Sequence, residues 1–253
     1  MIDQARLHPA QDPASLGSPL SGWVWPALAP LSALALLLAA GAGWLVALAG
    51  LVLFAGTTAL LAQRRRRHCA HFGWASQVTL ARSGVVAVLA GALVQPGLYQ
   101  ELAWWLSALA LVALVLDGVD GWLARRLNEV SDFGARFDME VDAALILILC
   151  LGLMAADKAG LWVLAIGLMR YVFVAAARAW PWLAAPLPPS FRRKLVCVWQ
   201  VAALLICLTP IIGPVLATPI LVSALVLLTL SFSIDVEWLR RHAAQTHSNP
   251  SME

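Results

Sequence analysis

Four aspartates, Asp117, Asp120, Asp138 and Asp142, stand where two apolar stretches meet, in the run LDGVDGWLARRLNEVSDFGARFDMEVDAALILIL. A charged side chain near the centre of a bilayer costs roughly 2.5–3.5 kcal/mol on insertion scales, so such carboxylates are functional suspects. Asp117, Asp120 and Ala124 are spaced by three and four residues and share one helical face. Gly134, Asp138 and Asp142, spaced by four, share another. Two consecutive antiparallel helices would aim these faces at each other across a single hairpin. Gly121 adjoins the first face, where the missing side chain admits a bulky ligand, and Arg125 sits at the end of the same helix.

Four carboxylates crowded in a partly dry site repel one another, and a hard divalent cation relieves that repulsion. All-oxygen ligation suits Mg²⁺, Mn²⁺ or Ca²⁺ rather than zinc. Mg²⁺ typically combines a few carboxylates with the phosphate oxygens of a substrate, so the chemistry indicated is a metal-assisted phosphoryl-type transfer. The competing reading is a set of helix-end charges solvated at the membrane surface and paired with Arg125, Arg126 and Arg136. Four aspartates on matching faces around one hairpin favour the site.

The elements that must position these residues are read from composition. Of 253 residues, 61% are hydrophobic and only 12% charged, with a mean hydropathy of +0.81. A soluble domain carries about 25% charged residues, so the chain reads as an all-α polytopic membrane protein. Core spans are expected near 76–94, 101–124, 137–156, 160–179, 195–211 and 216–236, punctuated by QPGLYQE, ADKAG and TPIIGP. The apolar region 23–62 is twice the length of one span, and AAGAG at 39–43 would fold it into an additional N-terminal hairpin. One long tilted helix with an interfacial segment is the alternative there.

The expected organisation is a flexible cytoplasmic segment at 1–22, the hairpin and a basic loop at 23–70, a six-span catalytic core at 71–240 and a polar tail at 241–253. With both termini inside, the outer segments 95–101, 157–160 and 210–217 hold a single basic residue, Lys158. Arg64 to Arg67, Arg192 to Lys194, and Arg240 with Arg241 fall on the other side, as the positive-inside rule requires. These basic blocks beside apolar spans indicate anionic headgroups rather than nucleic acid. Cys69, Cys150, Cys197 and Cys207 show neither disulfide nor zinc spacing, and the histidines read as solvated loop and tail residues.

The pattern Asp117-x-x-Asp120-Gly121-x-x-Ala124-Arg125, eight residues, then Gly134-x-x-x-Asp138-x-x-x-Asp142 resembles the complete signature of the CDP-alcohol phosphatidyltransferase family. Upstream, Gln77-Val78-Thr79-Leu80-Ala81-Arg82 resembles the Asn-x-x-Thr-x-x-Arg opening of that family's first core helix, with Gln77 in place of Asn. The resemblance implies a six-helix core and attack by a hydroxyl group on the β-phosphorus of a CDP-linked donor, with release of CMP. It implies one or two divalent ions, Mg²⁺ or Mn²⁺, on Asp117, Asp120, Asp138 and Asp142, with Asp142 as general base. Gly121, Ala124, Arg125 and Gly134 would form the nucleotide surface, joined by Thr79 and Arg82.

Arg170, inside a span, and Arg192, Arg193 and Lys194, at the start of the next, are candidates for the phosphate of an acceptor. The glycerophosphate-using branch of the family often has a Lys-x-Lys-Thr-like element there, which this chain lacks. The expected function is transfer from CDP-diacylglycerol to a small polar alcohol, glycerol 3-phosphate first. Inositol phosphate, serine, or a CDP-alcohol donor with diacylglycerol are the alternatives within the chemistry. A divalent-cation transporter is the alternative outside it. The resemblance also suggests a homodimer, set in a bacterial inner membrane with its active site facing the cytoplasm.

Overall fold

The computed structural model describes residues 21–68, 74–95, 97–126 and 132–248. Among them the only regular elements are helical: α1 Ser21–Ala39, α2 Trp44–His68, α3 Trp74–Ala92, α4 Leu98–Glu101, α5 Ala103–Arg126, α6 Asp132–Ala155, α7 Leu164–Ala179, α8 Phe191–Leu208 and α9 Pro214–Ser248. The segment 1–20, expected to be flexible, and residues 69–73 of the basic loop lie outside the described residues.

Among the described residues, four stretches are long and apolar enough to cross a membrane: Trp44–Gln63, Ala103–Leu123, Leu161–Ala179 and Pro214–Ala243. The apolar parts of α1 and α3 are shorter, at Pro26–Ala39 and Gln77–Ala92. The first half of α6 carries the charged residues of the acidic run, and α8 opens on Arg192, Arg193 and Lys194. Those charges lower apolarity without interrupting the helices, because the backbone bonds of an α-helix close within the segment whatever its side chains are.

The N-terminal apolar region is a hairpin. Its turn at residues 40–43 uses Gly41 at φ 100°, a conformation L side chains rarely adopt, and Ala42 N–H returns to the Leu37 carbonyl at 2.9 Å. The Gly43 N–H then donates to Gln95 Oε1 at 2.7 Å, tying this turn to the far end of α3.

α3 is the central helix and touches α1, α2, α5 and α6. Its residues from Arg82 to Leu89 are all buried, as expected of a helix apolar on nearly every side. α8 packs against α9, and α6 joins the two halves through α3, α7 and α8. Close approaches use small residues: a Cβ on Gly167 would lie 2.9 Å from the Leu147 backbone, and one on Gly152 would enter the ring of buried Tyr99. Tyr99 reaches its own partner, donating to the Leu89 carbonyl at 2.8 Å.

Lys158, the one basic residue in the segments expected outside, has a structural use. Its Nζ donates to the carbonyls of Cys207 (3.0 Å), Leu208 (3.4 Å) and Thr209 (2.5 Å), satisfying the end of α8. Burial holds its amine below the ordinary lysine pKa.

Two boundaries differ from expectation. QPGLYQE is not only a turn, since α4 forms within it. The tail expected to begin at 241 continues α9 as far as Ser248, because neither Gly nor Pro interrupts the chain before Pro250. At about 1.5 Å per residue, the 35 residues of α9 extend about 50 Å, well past a hydrocarbon core of about 30 Å.

Candidate active site

Three helices each end a buried face with a polar pair. On α3, Thr79 and Arg82 precede Val86 and Leu89 at spacings of three and four. On α5, running the opposite way, Leu106, Ala110 and Ala113 lead to Asp117 and Asp120. On α6, Asp138 and Asp142 lead into Leu145 and Leu149. The apolar parts of these faces build one core, so packing it brings the three polar ends to the same level.

Asp117, Asp120 and Asp138 each offer a carboxylate oxygen within 4.8 Å of the others, a spacing that fits one metal ion. Asp120 forms the floor at 4% exposure and accepts a hydrogen bond from the Thr79 hydroxyl at 3.0 Å. Asp117 and Asp138 are half-buried, and Asp142 is the most open of the four, with its side chain 44% exposed.

Arg82 lies among them, completely buried. Its Nη1 donates to Asp117 Oδ1 and, at 3.0 Å, to Asp142 Oδ1. Its Nη2 donates to Asp138 Oδ1 at 2.5 Å and to the Asp138 carbonyl at 3.2 Å. A planar guanidinium can serve several carboxylates at once because its donors are fixed in a fork. Arg82 Nε and Ser107 Oγ are, among the described residues, the buried side-chain polar atoms without a partner. One guanidinium against four carboxylates leaves surplus negative charge, and the ligand atoms are all oxygen. This donor set fits a hard divalent cation.

The rest of the expected nucleotide surface is placed in part. Gly121 and Gly134 are half-buried at the facing ends of α5 and α6, while the side chains of Ala124 and Arg125 lie outside the described residues. Thr79 and Arg82, expected to face the nucleotide, both bond to the aspartates in this structure.

The candidate acceptor residues fall into two networks. Arg170 on α7 pairs with Glu140 on α6 at 3.3 Å. Arg192 on α8 reaches α9, donating to Asp235 Oδ1 (2.5 Å), Ser231 Oγ (2.6 Å) and the Ser231 carbonyl (2.7 Å). Arg193 lies 3.5 Å from the same Asp235 carboxylate and also donates to the Pro188 carbonyl. Lys194 is exposed. Asp235, Ser231 and Glu140 enter the site only through the structure. For Asp235 a signal existed: it is the one carboxylate in the stretch 216–236 and stands four residues from Ser231, the spacing that separates Asp138 from Asp142.

Residues 72–234 match the CDP-alcohol phosphatidyltransferase family. A probable phosphatidylglycerophosphate synthase of Mycobacterium tuberculosis is 30% identical over 166 residues, covering 64% of this chain and 78% of that protein. CDP-diacylglycerol–inositol 3-phosphatidyltransferase 1 of Arabidopsis thaliana is 42% identical over 69 residues, covering 22% of this chain and 30% of that protein. No solved structure matches. The acidic pattern across α5 and α6, the all-helical apolar fold and the matched span agree on one conclusion: the chain belongs to the CDP-alcohol phosphatidyltransferase family and is a membrane transferase of substituted phosphate groups.

Proposed function

We propose that this enzyme transfers the phosphatidyl group of CDP-diacylglycerol to glycerol 3-phosphate and releases CMP, with Mg²⁺ or Mn²⁺ held by Asp117, Asp120 and Asp138. The observation that carries the reading is the convergence of three carboxylates within 4.8 Å, with the more open Asp142 bound to the same arginine. The choice of acceptor is supported by likeness to a probable phosphatidylglycerophosphate synthase over most of that protein's length.

In this reading Asp142 accepts the proton of the acceptor hydroxyl as its oxygen bonds to the β-phosphorus and the bond from that phosphorus to the CMP oxygen breaks. A divalent ion on the other aspartates would neutralise charge on the pyrophosphate and the departing CMP. Arg82 holds the carboxylates of α5 and α6 in one place, and Thr79 fixes the floor carboxylate. They act on the nucleotide through the aspartates. Gly121, Ala124, Arg125 and Gly134 form the surface for cytidine.

Arg193, Lys194 and Arg170 receive the acceptor's phosphate, whereas Arg192 is a strut between α8 and α9 because Asp235 and Ser231 already occupy its terminal donors. An inositol phosphate acceptor is the second reading, favoured by the shorter match to the plant inositol enzyme.

The site faces the cytoplasm of a bacterial inner membrane. α3 and α6 start, and α5 ends, at the acidic site, the end of the bundle where α2 closes on its arginine block and α8 opens on its own. The one exception to positive-inside topology, Lys158, binds carbonyls instead. The enzyme works as a homodimer, which light scattering of the purified protein in detergent checks. The central test incubates purified protein and metal with labelled CDP-diacylglycerol and a panel of alcohols. CMP release fastest with glycerol 3-phosphate supports the reading, and a faster unphosphorylated acceptor removes it.

A further inference from the structure

The hairpin α1–α2 lies outside the span matched by the family, yet it packs on the helix that delivers Arg82. The contacts run along one stripe of α3 formed by Gly84, Val88 and Gly91, at spacings of four and three, and continue to Gln95 in the turn that follows. A Cβ added at Gly84 would lie 2.5 Å from Pro30 Cγ and 2.7 Å from Pro30 Cβ. One at Gly91 would lie 2.8 Å from the Gly50 nitrogen and from the Val46 carbonyl oxygen. From the other side, a Cβ at Gly50 would meet the Val88 backbone at 3.4 Å, and Gly43 N–H is bonded to Gln95. Backbone rests on backbone here, so the hairpin fixes where α3 sits, with little slack.

Residues 82 and 84 are two apart, which places their side chains about 200° apart around a helix of 3.6 residues per turn. The stripe seated on the hairpin and the face carrying Arg82 are therefore opposite sides of one rigid rod. A push at Gly84 moves Arg82 toward α5 and α6, where its donors are already committed to Asp117, Asp138 and Asp142.

We propose that the N-terminal hairpin is a positioning element of the active site, holding Arg82 in register with the carboxylates through the Pro30–Gly84 and Gly50–Gly91 seats. This rests on the reading of the acidic cluster as the catalytic centre. A hairpin that only anchors the chain in lipid would yield when the seat is overfilled, and the site would not notice. A hairpin that braces α3 transmits the displacement.

The test is a cycle of full-length variants, Gly84→Ala, Pro30→Gly and the two together, with CMP release measured per folded protein at saturating metal. Neither residue touches the reacting groups. Gly84→Ala is expected to lower kcat about tenfold, since a displacement near 1 Å can cost up to about a hundredfold. The acceptor KM should stay within twofold of wild type. Pro30→Gly alone empties one of the two seats and should lower kcat about threefold, and adding it to Gly84→Ala should bring kcat back to that level by removing the ring atoms, Cγ and Cβ, that the new methyl meets.

A wild-type kcat in Gly84→Ala, or a loss that Pro30→Gly does not relieve, overturns the proposal. Should Gly84→Ala not fold, Gln95→Ala, which deletes only the bond from Gly43, is read instead. A lower kcat with unchanged acceptor KM supports the brace, and a wild-type kcat overturns it. Asp142→Asn in the same assay separates the two ideas. Full activity there removes the site reading itself, whereas loss of activity there with an indifferent Gly84→Ala removes only the brace.

Discussion

Two regions of this molecule place charge inside an apolar bundle, and they are unbalanced in opposite senses. Around Arg82, one guanidinium faces four carboxylates, and the surplus is negative. Around Asp235, one carboxylate faces Arg192 and Arg193, with exposed Lys194 beside them, and the surplus is positive. Within each region the matched portion is structural: Arg82 joins α3 to α5 and α6, and Arg192 joins α8 to α9. The unmatched portion is what a ligand of opposite charge can complete, a divalent cation in the first and a phosphate in the second. Charge inside a membrane protein is costly, so the imbalance marks function better than the mere presence of ions does.

The sharpest way to break this comparison is on the acidic side. Asp142→Asn keeps the shape and removes the proton acceptor, and kcat should fall by about a thousandfold or more in the CMP-release assay. Arg82→Met strikes the balanced part of the same region. It should cost on the order of a hundredfold in rate and about 3–5 kcal/mol of stability, because it strips a buried cation from carboxylates that remain. Thermal unfolding in detergent measures the second quantity. Arg82→Lys should recover only part of either, since an ammonium cannot fork across several carboxylates.

On the basic side, Asp235→Asn should raise the acceptor KM about tenfold, equivalent to about 1.4 kcal/mol, and leave the CDP-diacylglycerol KM unchanged. Equal changes in both constants would mean that Asp235 supports the fold alone. The smallest effect belongs to Lys158, far from both regions. Lys158→Met leaves the final carbonyls of α8 without their donor, and stability should drop by about 1–2 kcal/mol with kcat unaltered.

Much of the acidic region was legible in the sequence because its logic is local. Spacings of three and four place Asp117 with Asp120, and Asp138 with Asp142, whatever surrounds them. Helix extents were legible for a similar reason: the expected span at 76–94 is α3 at Trp74–Ala92, and AAGAG is the turn between α1 and α2. What was not legible depends on tertiary distance. Arg82 meets its carboxylates from 35 to 60 residues away, and Asp235 meets Arg192 from 43. Spacing cannot report such pairings.

Thr79 and Arg82 show the consequence. The sequence pattern sets both near the start of the first core span, and the groups they touch in the structure are the carboxylates. The hairpin is a second case. Its existence followed from apolar length, but its seat on α3 became visible only from the close approaches at Gly84 and Gly91.

On the proposed function, the surplus negative charge of the Asp117, Asp120 and Asp138 cluster serves a divalent ion in phosphatidyl transfer. The most direct measurement is CMP release from CDP-diacylglycerol and glycerol 3-phosphate by chelator-treated protein, titrated with Mg²⁺ or Mn²⁺, for wild type and Asp117→Asn. Expected are no release in chelator, recovery of the wild type by added metal, and little recovery of Asp117→Asn at the same metal concentration. Undiminished release in chelator, or a metal titration of Asp117→Asn that overlies the wild type, would contradict it.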